Sequence, residues 1–278
     1  MTVARTPQEL ERVPRAVAIG TYDGVHRGHR TVLRAAVETG LVPTVVTFDP
    51  HPRDVLGYGV ELLAEAGIAD VLVIEFTEAT AATAPEDFAE SVLRTIGTEI
   101  VLAGEGFRFG RRRSGDLDLL RRLGFEVRAV PVVGEISSSA IRRLVHEGDI
   151  VGAAELLGRP VEVDGTVVTG DARGGTLGFP TANLRVPPAL LVPRFGIYAG
   201  AVGDTRAAVS IGTNPHYGGD ERRIEAFLLD FEGDLYGRRL VVELWERLRD
   251  EATFASEQEL IDQIARDVAA TRAATRPL

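Results

Sequence analysis

The stretch IGTYDGVHRGH, residues 19–29, decides how the rest of the chain is organised. An apolar run precedes it from Ala16, and apolar residues at helical spacing follow it from Val32 to Val37. This order predicts a strand, a glycine-rich turn and the start of a helix. Free backbone N–H groups and the positive end of the helix dipole attract phosphate, and glycine lets the backbone approach a bulky anion. The stretch therefore predicts a phosphate-binding turn.

Two histidines, His26 and His29, stand three residues apart at the predicted helix start. Residues at this spacing share one face of a helix, and imidazole N–H groups can donate to phosphoryl oxygens. A tight turn with two solvated histidines is the alternative. The His-x-Gly-His spacing favours the phosphate site.

Composition excludes several classes of protein. The chain has 278 residues, 45% of them hydrophobic, which suits two ordinary domains and argues against a disordered protein. Cysteine is absent, which excludes disulfides and thiolate chemistry, and no apolar run reaches membrane-spanning length. We therefore expect a cytoplasmic protein with no membrane partner.

The charged residues restrict the partners further. The formal net charge of −10 opposes non-specific binding to nucleic acid, so we expect no nucleic-acid partner. Lysine is absent, so phosphate cannot be held by lysine side chains. The run Arg111–Arg113 is the densest positive cluster. A solvated loop is the favoured interpretation, and a patch that steers ATP or a phosphorylated substrate is the alternative.

Apolar runs alternate with amphipathic segments from residue 16 to about 157. This alternation predicts an α/β fold with a parallel sheet, helices on both faces, and ligands beyond the carboxyl ends of the strands. The predicted strands are 16–19, 44–48, 71–74, 100–103 and 127–133. The predicted helices lie near 30–39, 60–66, 85–96, 115–123 and 138–147.

From residue 158 the pattern changes to β-rich segments separated by glycine turns, which predicts a small antiparallel barrel or sandwich. Ser256 and Glu259 form a capping pattern that begins a C-terminal helix. We therefore expect two domains, 1–157 and 158–278. The predicted strands of the second are 161–169, 198–202, 207–211, 224–230 and 239–248.

Three further loops fall at the predicted ligand edge of the first domain: TFDPHP at 47–52, GEGFRFG at 104–110 and SSSAIR at 137–142. Taken singly, each is more simply a structural loop. Together with the histidine turn they form a nucleotide site, in which the histidines and Arg142 spread positive charge over a phosphate and serine hydroxyls hold the leaving pyrophosphate. This combination predicts nucleotidyl transfer.

The second domain carries GDARGGTLGFPTAN at 170–183, whose glycines allow the backbone to wrap phosphates. The hydroxyl of Thr181 and the carbonyl of Asn183 are hard oxygen ligands suited to Mg²⁺. A glycine-rich hairpin is the alternative. Glu225 stands in an apolar predicted strand, where it is either a general base for a hydroxyl proton or an ion-paired strand residue.

Together these motifs resemble the bifunctional riboflavin kinase/FMN adenylyltransferase family, the prokaryotic FAD synthetases. The resemblance covers nearly the whole chain. Its motifs are IGTYDGVHRGH (19–29), VTFDPHP (46–52), GFRFG (106–110), SSSAIR (137–142), TLGFPTAN (176–183) and IEAFLLDFEGDLYG (224–237).

The resemblance implies a Rossmann-like nucleotidylyltransferase domain followed by a six-stranded flavokinase barrel with a C-terminal helix. It implies that riboflavin and ATP give FMN, that FMN and ATP give FAD, and that Mg²⁺ assists. Glu225 is then the base for the riboflavin 5′-hydroxyl, and His26, His29 and Arg142 act in adenylyl transfer. The implied ATP-binding residues are Gly20, Tyr22, Asp23, Gly28, Ser138, Gly174, Thr176, Gly178, Pro180, Thr181 and Asn183. The implied flavin-binding residues are Phe48, His51, Pro52, Phe107 and Arg108, and the implied Mg²⁺ ligands are Thr181 and Asn183.

The first domain departs from the family pattern. Gly106 stands where the family usually has asparagine or aspartate, at a position implied to handle the flavin phosphate. Ser139 and Ala140 replace the threonine and its neighbour, and the segment between Pro52 and Leu62 is shorter than in the family. Two alternatives to the bifunctional enzyme stay open: a riboflavin kinase with weak or altered adenylyltransferase activity, and a flavin-binding regulator without turnover. The sequence leaves the oligomeric state open.

Overall fold

A computed structural model describes residues 1–49, 59–131, 134, 136–170, 179–213 and 222–278. By its contacts the chain divides into two compact units, the first reaching Ser137 and the second running from Ser138 to Leu278.

In the described part of the first unit, six parallel strands form one sheet in the order β1-β4-β3-β2-β5-β6. The predicted parallel sheet is confirmed. The strands are β1 (Thr2–Ala4), β2 (Arg15–Ile19), β3 (Val42–Asp49), β4 (Asp70–Glu75), β5 (Thr98–Gly104) and β6 (Glu126–Val130). The helices are α1 (Arg27–Val37), α2 (Gly59–Glu65), α3 (Glu78–Ala82), α4 (Pro85–Phe88) and α5 (Leu117–Arg122).

Both faces of this sheet are covered by helices. Alternate residues of β2 face opposite hydrophobic clusters, because side chains alternate across a strand. Val17 lies in the cluster that contains Leu120 of α5, whereas Ala18 lies in the cluster that contains Leu33 and Ala36 of α1. This burial on two sides explains why β2 is apolar on both faces from Ala16 to Ile19.

Two short elements of the first unit were not predicted, and one predicted helix is irregular. Strand β1 and helix α3 span only a few residues, too few for a periodic pattern. The segment predicted as one helix at 85–96 starts as α4 and continues as a π-helix over Ala89–Arg94. Pro85 stands in its first turn, where the fixed φ of proline suits a helix start.

The side chain of Arg15 ties the amino ends of the central strands together. It is 1% exposed. Its guanidinium donates to the carbonyl oxygens of Ile96 (2.9 Å) and Glu11 (2.8 Å), to Thr44 Oγ1 of β3 (2.9 Å) and to Asp70 Oδ2 of β4 (2.6 Å). One buried cation thus links four separate segments of the first unit.

In the described part of the second unit, six antiparallel strands close into a barrel in the order β10-β11-β8-β7-β12-β9. The predicted barrel is confirmed. Gly203 has φ +56° in the hairpin between β9 and β10, where the sequence predicts a turn. The strands are β7 (Val161–Val168), β8 (Ala182–Arg185), β9 (Gly196–Val202), β10 (Thr205–Thr213), β11 (Arg222–Leu228) and β12 (Arg239–Arg249).

Helices α6 (Ser138–Glu147) and α7 (Ile150–Leu157) belong to the second unit. Ile141, Val145 and Leu157 lie in the same buried cluster as Val163 and Val242 of the barrel. The compact units divide at 137/138, because these two helices bury their apolar faces with the barrel. The domain boundary expected at 157/158 stays a prediction. The sequence pattern did not predict α7.

The C-terminal helix α8 (Glu257–Ala273) is confirmed, and its end is held by Arg206 of β10. The guanidinium donates to the carbonyl oxygens of Thr271 (2.8 Å) and Ala274 (2.7 Å) and lies 5.0 Å from the ring centroid of Trp245. A cation at this place satisfies carbonyl groups that have no partner within the helix. Over the described residues, no helix is long and apolar enough to cross a membrane.

Replacing Arg15 by methionine is expected to destabilise the first unit. Methionine keeps an unbranched apolar stem but leaves Asp70 and two backbone carbonyls without their donor. Breaking a buried ion pair by removing one partner costs about 3–5 kcal/mol. Amide hydrogen exchange of peptides from β2 and β3 measures this loss, with peptides from β9 as an internal reference.

Arg121→Met is the matched control, because Arg121 pairs with Asp118 on the surface with 46% and 71% of the two side chains exposed. An exposed pair of this kind contributes at most about 1 kcal/mol. Equal effects of the two substitutions on exchange in β2 and β3 would contradict the role given to Arg15.

Candidate active sites

The turn after β2 has an uncommon backbone conformation. Tyr22 has φ 47° and Val25 has φ 37°, both in the left-handed region that a β-branched residue such as Val25 rarely adopts. Tyr22 and Val25 are buried, and a Cβ on Gly20 would lie 3.2 Å from the ring of Tyr22. Strain of this kind persists only where the surrounding structure enforces it, and it is common at functional sites.

His26 and His29 form one stacked unit at the start of α1. His26 Nδ1 accepts a hydrogen bond from the backbone N–H of His29 at 3.2 Å, and the ring centroids are 3.6 Å apart. Because Nδ1 accepts, neutral His26 carries its proton on Nε2 and donates from there. His29 Nδ1 is buried without a hydrogen-bond partner in the described part of the chain. A polar atom of a ligand would satisfy it.

Burial keeps both imidazoles neutral near pH 7. Burial lowers the pKa of His26 to about 4. Burial, followed by repulsion from His26, lowers the pKa of His29 well below its ordinary value. The lowered pKa values favour the neutral form of both histidines, and the expectation that they spread positive charge over a bound phosphate stays a prediction. In their neutral form they offer hydrogen-bond donors to a ligand.

A cavity of about 710 Å³ opens beside the histidines within the first unit. Phe48 and Phe107, both predicted to bind flavin, line it. The ring centroids of Phe48 and Phe76 are 5.9 Å apart, and those of Phe107 and Phe109 are 5.7 Å apart. Phe88 joins the two pairs, with centroids 6.3 Å from Phe48 and 5.8 Å from Phe109. A cavity of this size with an aromatic wall suits a flat heterocyclic ligand.

The cavity brings most of the described residues predicted for this site together. Gly20, Tyr22, Gly28 and Arg108 line it along with the histidines, whereas Asp23 is buried in the turn and is not part of the lining. His51 and Pro52 lie outside the described residues. Gly106 also lines the cavity, and a Cβ built on Gly106 would meet nothing within 4 Å.

Ser138, predicted to bind ATP, and Arg142, predicted to act in adenylyl transfer, belong to the second compact unit. Ser138 begins α6 and Arg142 lies one turn further along it, and this helix belongs to the second unit. Their assignment to the ATP site stays a prediction.

The residues predicted for the second site meet on neighbouring barrel strands. Asn183 of β8 lies directly opposite Glu225 of β11 in the strand register. Thr181 Oγ1 lies 3.5 Å from Glu225 Oε2. The segment around Asn183 was predicted as a phosphate loop, but from Ala182 it is a strand, because it pairs with both β7 and β11. The pairing joins two motifs that are far apart in sequence.

Arg223 is a residue of this second site that sequence reasoning missed. It forms an ion pair with Glu225 Oε1, and its Nε donates to Asn183 Oδ1 at 3.1 Å. The signal was present, since residues two apart on a strand share a face. Glu225 is thus an ion-paired strand residue, which was the alternative to a general base. The same ion pair also contacts Asn183 through Arg223. The side chains of Arg223 and Glu225 are 29% and 24% exposed, so the pair stays accessible to a substrate.

The backbone at Gly170 passes close to the side chain of Asn183. A Cβ on Gly170 would overlap the side-chain amide of Asn183, so a larger residue there would displace that amide. Pro180 is exposed just before Thr181, and the rings of Phe179 and Phe227 meet edge to face with centroids 5.5 Å apart. The predicted residues Gly174, Thr176 and Gly178 lie outside the described residues.

Comparisons with known proteins match both halves of the chain. A family model described as riboflavin kinase matches residues 157–275, and one described as FAD synthetase matches residues 8–143. The bifunctional riboflavin kinase/FMN adenylyltransferase of Listeria monocytogenes is 34% identical, over 96% of this chain and 95% of its own length. The chain belongs to this bifunctional riboflavin kinase/FMN adenylyltransferase family. The protein of the same name from Escherichia coli strain K12 is 35% identical, over 96% of each chain.

A solved structure shares the architecture of this family member from end to end. It is described as a macrolide-efflux protein from Streptococcus pneumoniae and is 30% identical, with a TM-score of 0.86 over 97% of this chain and 98% of that one. The two family models leave residues 144–156 unmatched, a segment that contains most of α7. Where the functional domains of this family member divide therefore stays a prediction.

The neutral histidine pair predicts that the first unit loses stability in acid. The pKa of His26 is lower in the folded protein (about 4) than in an unfolded chain (about 6.5). The unfolded state therefore binds more protons as the pH falls through 6.5 toward 4, and the contribution of His26 is fully lost below that range. At pH 5 the stability already lost through His26 is about 2 kcal/mol. Urea unfolding at pH 7 and pH 5 measures the difference.

His26→Asn should reduce this acid sensitivity, because asparagine keeps an acceptor for the helix N-cap but does not titrate. His146→Asn is the control, since His146 is exposed on α6. If the two variants and the unsubstituted protein lost equal stability between pH 7 and pH 5, the buried neutral state of His26 would be refuted.

Proposed function

We propose that the protein phosphorylates riboflavin to FMN with ATP and adenylylates FMN to FAD with a second ATP. The observation that carries this proposal is the convergence of Thr181, Asn183 and Glu225 on neighbouring barrel strands. A flavin-binding regulator needs no carboxylate beside two oxygen ligands, because binding alone requires no proton acceptor. The relatives from L. monocytogenes and E. coli carry both activities in their names.

In the kinase step, the oxygen of the riboflavin 5′-hydroxyl attacks the γ-phosphorus of ATP and ADP leaves. Glu225 accepts the hydroxyl proton. Its Oε1 is paired with Arg223, so Oε2, which faces Thr181, is the oxygen that takes the proton. Arg223 holds the carboxylate in this orientation and contacts Asn183 at the same time. The protein contributes mainly positioning and proton acceptance, as phosphoryl transfer requires.

The oxygen atoms at this site fit Mg²⁺. Thr181 Oγ1 and Asn183 Oδ1 are hard donors of the kind that this ion prefers. No group of three or more histidine or acidic side chains in the described residues could hold a metal ion, so further ligands would be ATP phosphate oxygens and water. Bound Mg²⁺ supplies charge neutralisation on the phosphates.

In the adenylyl step, a phosphate oxygen of FMN attacks the α-phosphorus of ATP and pyrophosphate leaves. The Nε2–H of His26 and the backbone N–H of Gly28 in the first turn of α1 donate to the ATP phosphates. The phenylalanine wall packs against the flavin ring. Neutral imidazoles suit this task, because a donor that does not titrate near pH 7 keeps the same contacts across the physiological range.

A kinase with weak or altered adenylyltransferase activity is the second candidate, and Gly106 is the observation that favours it. Glycine offers the cavity no side-chain donor or acceptor where the family pattern has one.

Glu225→Gln tests the kinase assignment, because glutamine keeps the shape of the side chain but cannot accept the proton. We expect FMN formation from riboflavin to fall on the order of 10²–10⁴-fold. FAD formation from supplied FMN should be unchanged, since the two steps use separate sites. Chromatographic separation of FMN and FAD measures both rates.

Glu246→Gln is the matched control, since Glu246 is an exposed glutamate on β12. Asn183→Ala should reproduce the loss of kinase activity with FAD formation retained. Near-normal FMN formation by Glu225→Gln, or loss of both activities in a folded Asn183→Ala protein, would overturn the assignment.

Gly106→Asn separates the two candidate functions. The cavity has room for the new side chain, so the substitution should leave the fold intact. We expect the unsubstituted protein to convert supplied FMN to FAD at a rate similar to its kinase step, with no gain from Gly106→Asn. A gain of roughly ten- to a hundredfold, the value of one hydrogen bond to a charged group, would favour the second candidate. Gly104→Asn, at another open glycine of the cavity, is the control.

A further inference from the structure

The cavity of the first unit contains two arginines that the chemistry above does not use. Arg112 and Arg113 both line it, on the loop between β5 and α5. We propose that Arg112 and Arg113 form a subsite for a phosphate monoester, the phosphate of FMN, in the adenylyl step. This inference rests on the proposed function and names the residues that recognise its second substrate.

The guanidinium groups of Arg112 and Arg113 are available to a ligand. Both residues are exposed, and within the described residues neither side chain has an ion-pair or hydrogen-bond partner. Arg108 of the same loop does have partners. Its Nη1 lies 4.0 Å from Asp116 Oδ2 and donates to the carbonyl oxygen of Phe107 at 3.2 Å. In a chain of net charge −10, two adjacent unpaired cations in a cavity indicate an anionic ligand.

The backbone of the loop is fixed in a conformation that presents these two side chains. Arg112 has φ 54° and Arg113 has φ 59°, both in the left-handed region. The base of the loop is closed by an antiparallel bridge between Phe109 and Gly115, and the Arg111 N–H donates to the Thr83 carbonyl at 2.8 Å. Strained residues persist where neighbouring structure enforces them, and here the bridge and the Arg111 N–H hold the loop on either side of the strain.

The ligand chemistry follows from the rest of the cavity. Arginine donates two parallel N–H groups to phosphate oxygens, a geometry that lysine cannot provide. The ATP phosphates already have the histidine pair and the N–H groups of α1. Among the described residues that line the cavity, Gly106 offers the FMN phosphate no side chain, and Arg108 is paired with Asp116. Arg112 and Arg113 supply the missing contact and account for FAD formation despite Gly106.

The test uses the full chain with both arginines replaced, Arg112→Gln/Arg113→Gln. With FMN supplied and ATP saturating, we expect the KM for FMN to rise roughly ten- to a hundredfold, because contacts to a charged group are lost. The KM for ATP and the rate of riboflavin phosphorylation should stay unchanged. The inhibition constant of lumiflavin, a flavin ring without a phosphate or ribityl chain, should also stay unchanged. Arg111→Gln is the matched control, since Arg111 belongs to the same tripeptide but does not line the cavity.

Three results would overturn the subsite: a raised KM for ATP instead of FMN, an equal effect of Arg111→Gln, or a matching loss of lumiflavin inhibition. The first would indicate an ATP contact, the second general charge steering, and the third disturbed packing. Replacement of both arginines by lysine should restore part of the affinity, and so should Gly106→Asn added to the double variant.

Chemical modification separates this inference from the proposed function. FMN, but not lumiflavin, should protect Arg112 and Arg113 from phenylglyoxal, with Arg111 unaffected, as read by mass spectrometry of the loop peptide. If the protein forms no FAD but FMN protects these arginines, the proposed adenylyl step fails and the phosphate subsite stands. If FAD forms without protection, the subsite fails and the proposed function stands.

Discussion

The buried guanidinium of Arg15 is the contact on which the first unit depends. It joins β3, β4 and the two segments that lead into β2 and β5, at the amino ends of the parallel strands. Because the strands run parallel, their carboxyl ends all lie at the edge of the sheet opposite to Arg15. The turn after β2 and the loop after β5 therefore open into one cavity. The contact that aligns the sheet and the site that the sheet presents lie at opposite edges.

Much of the fold could be predicted from periodicity alone. The central strands are apolar runs of ordinary length, and both the parallel sheet and the barrel follow from the order of the elements. The short elements could not be predicted, since a strand such as β1 or β8 is too brief to show a pattern. The grouping of α7 with the barrel could not be predicted either. Its residues are apolar on most faces, so the sequence does not indicate which core they join.

The candidate sites were predictable as motifs but not as geometry. The motifs contain glycine, histidine, threonine and glutamate in patterns that indicate phosphate, metal and proton chemistry. The pairing of Asn183 with Glu225 depends on strand register, and a shift by one residue would turn Asn183 to the other face of the barrel. Burial lowers the pKa of both histidines, and no sequence motif shows that they are buried. The left-handed backbone at Arg112 and Arg113 could not be predicted from the sequence either, because arginine does not favour that conformation.

The contact between Arg206 and Trp245 gives the second unit an optical probe of its own. Trp245 is the single tryptophan of the chain, it is 7% exposed, and its Nε1 donates to Glu243 at 2.8 Å. The same Arg206 that stacks on the indole binds the carbonyl groups at the end of α8. Release of that helix would expose the indole to water and shift its emission to longer wavelength. Tryptophan fluorescence therefore follows the docking of α8 without any introduced label.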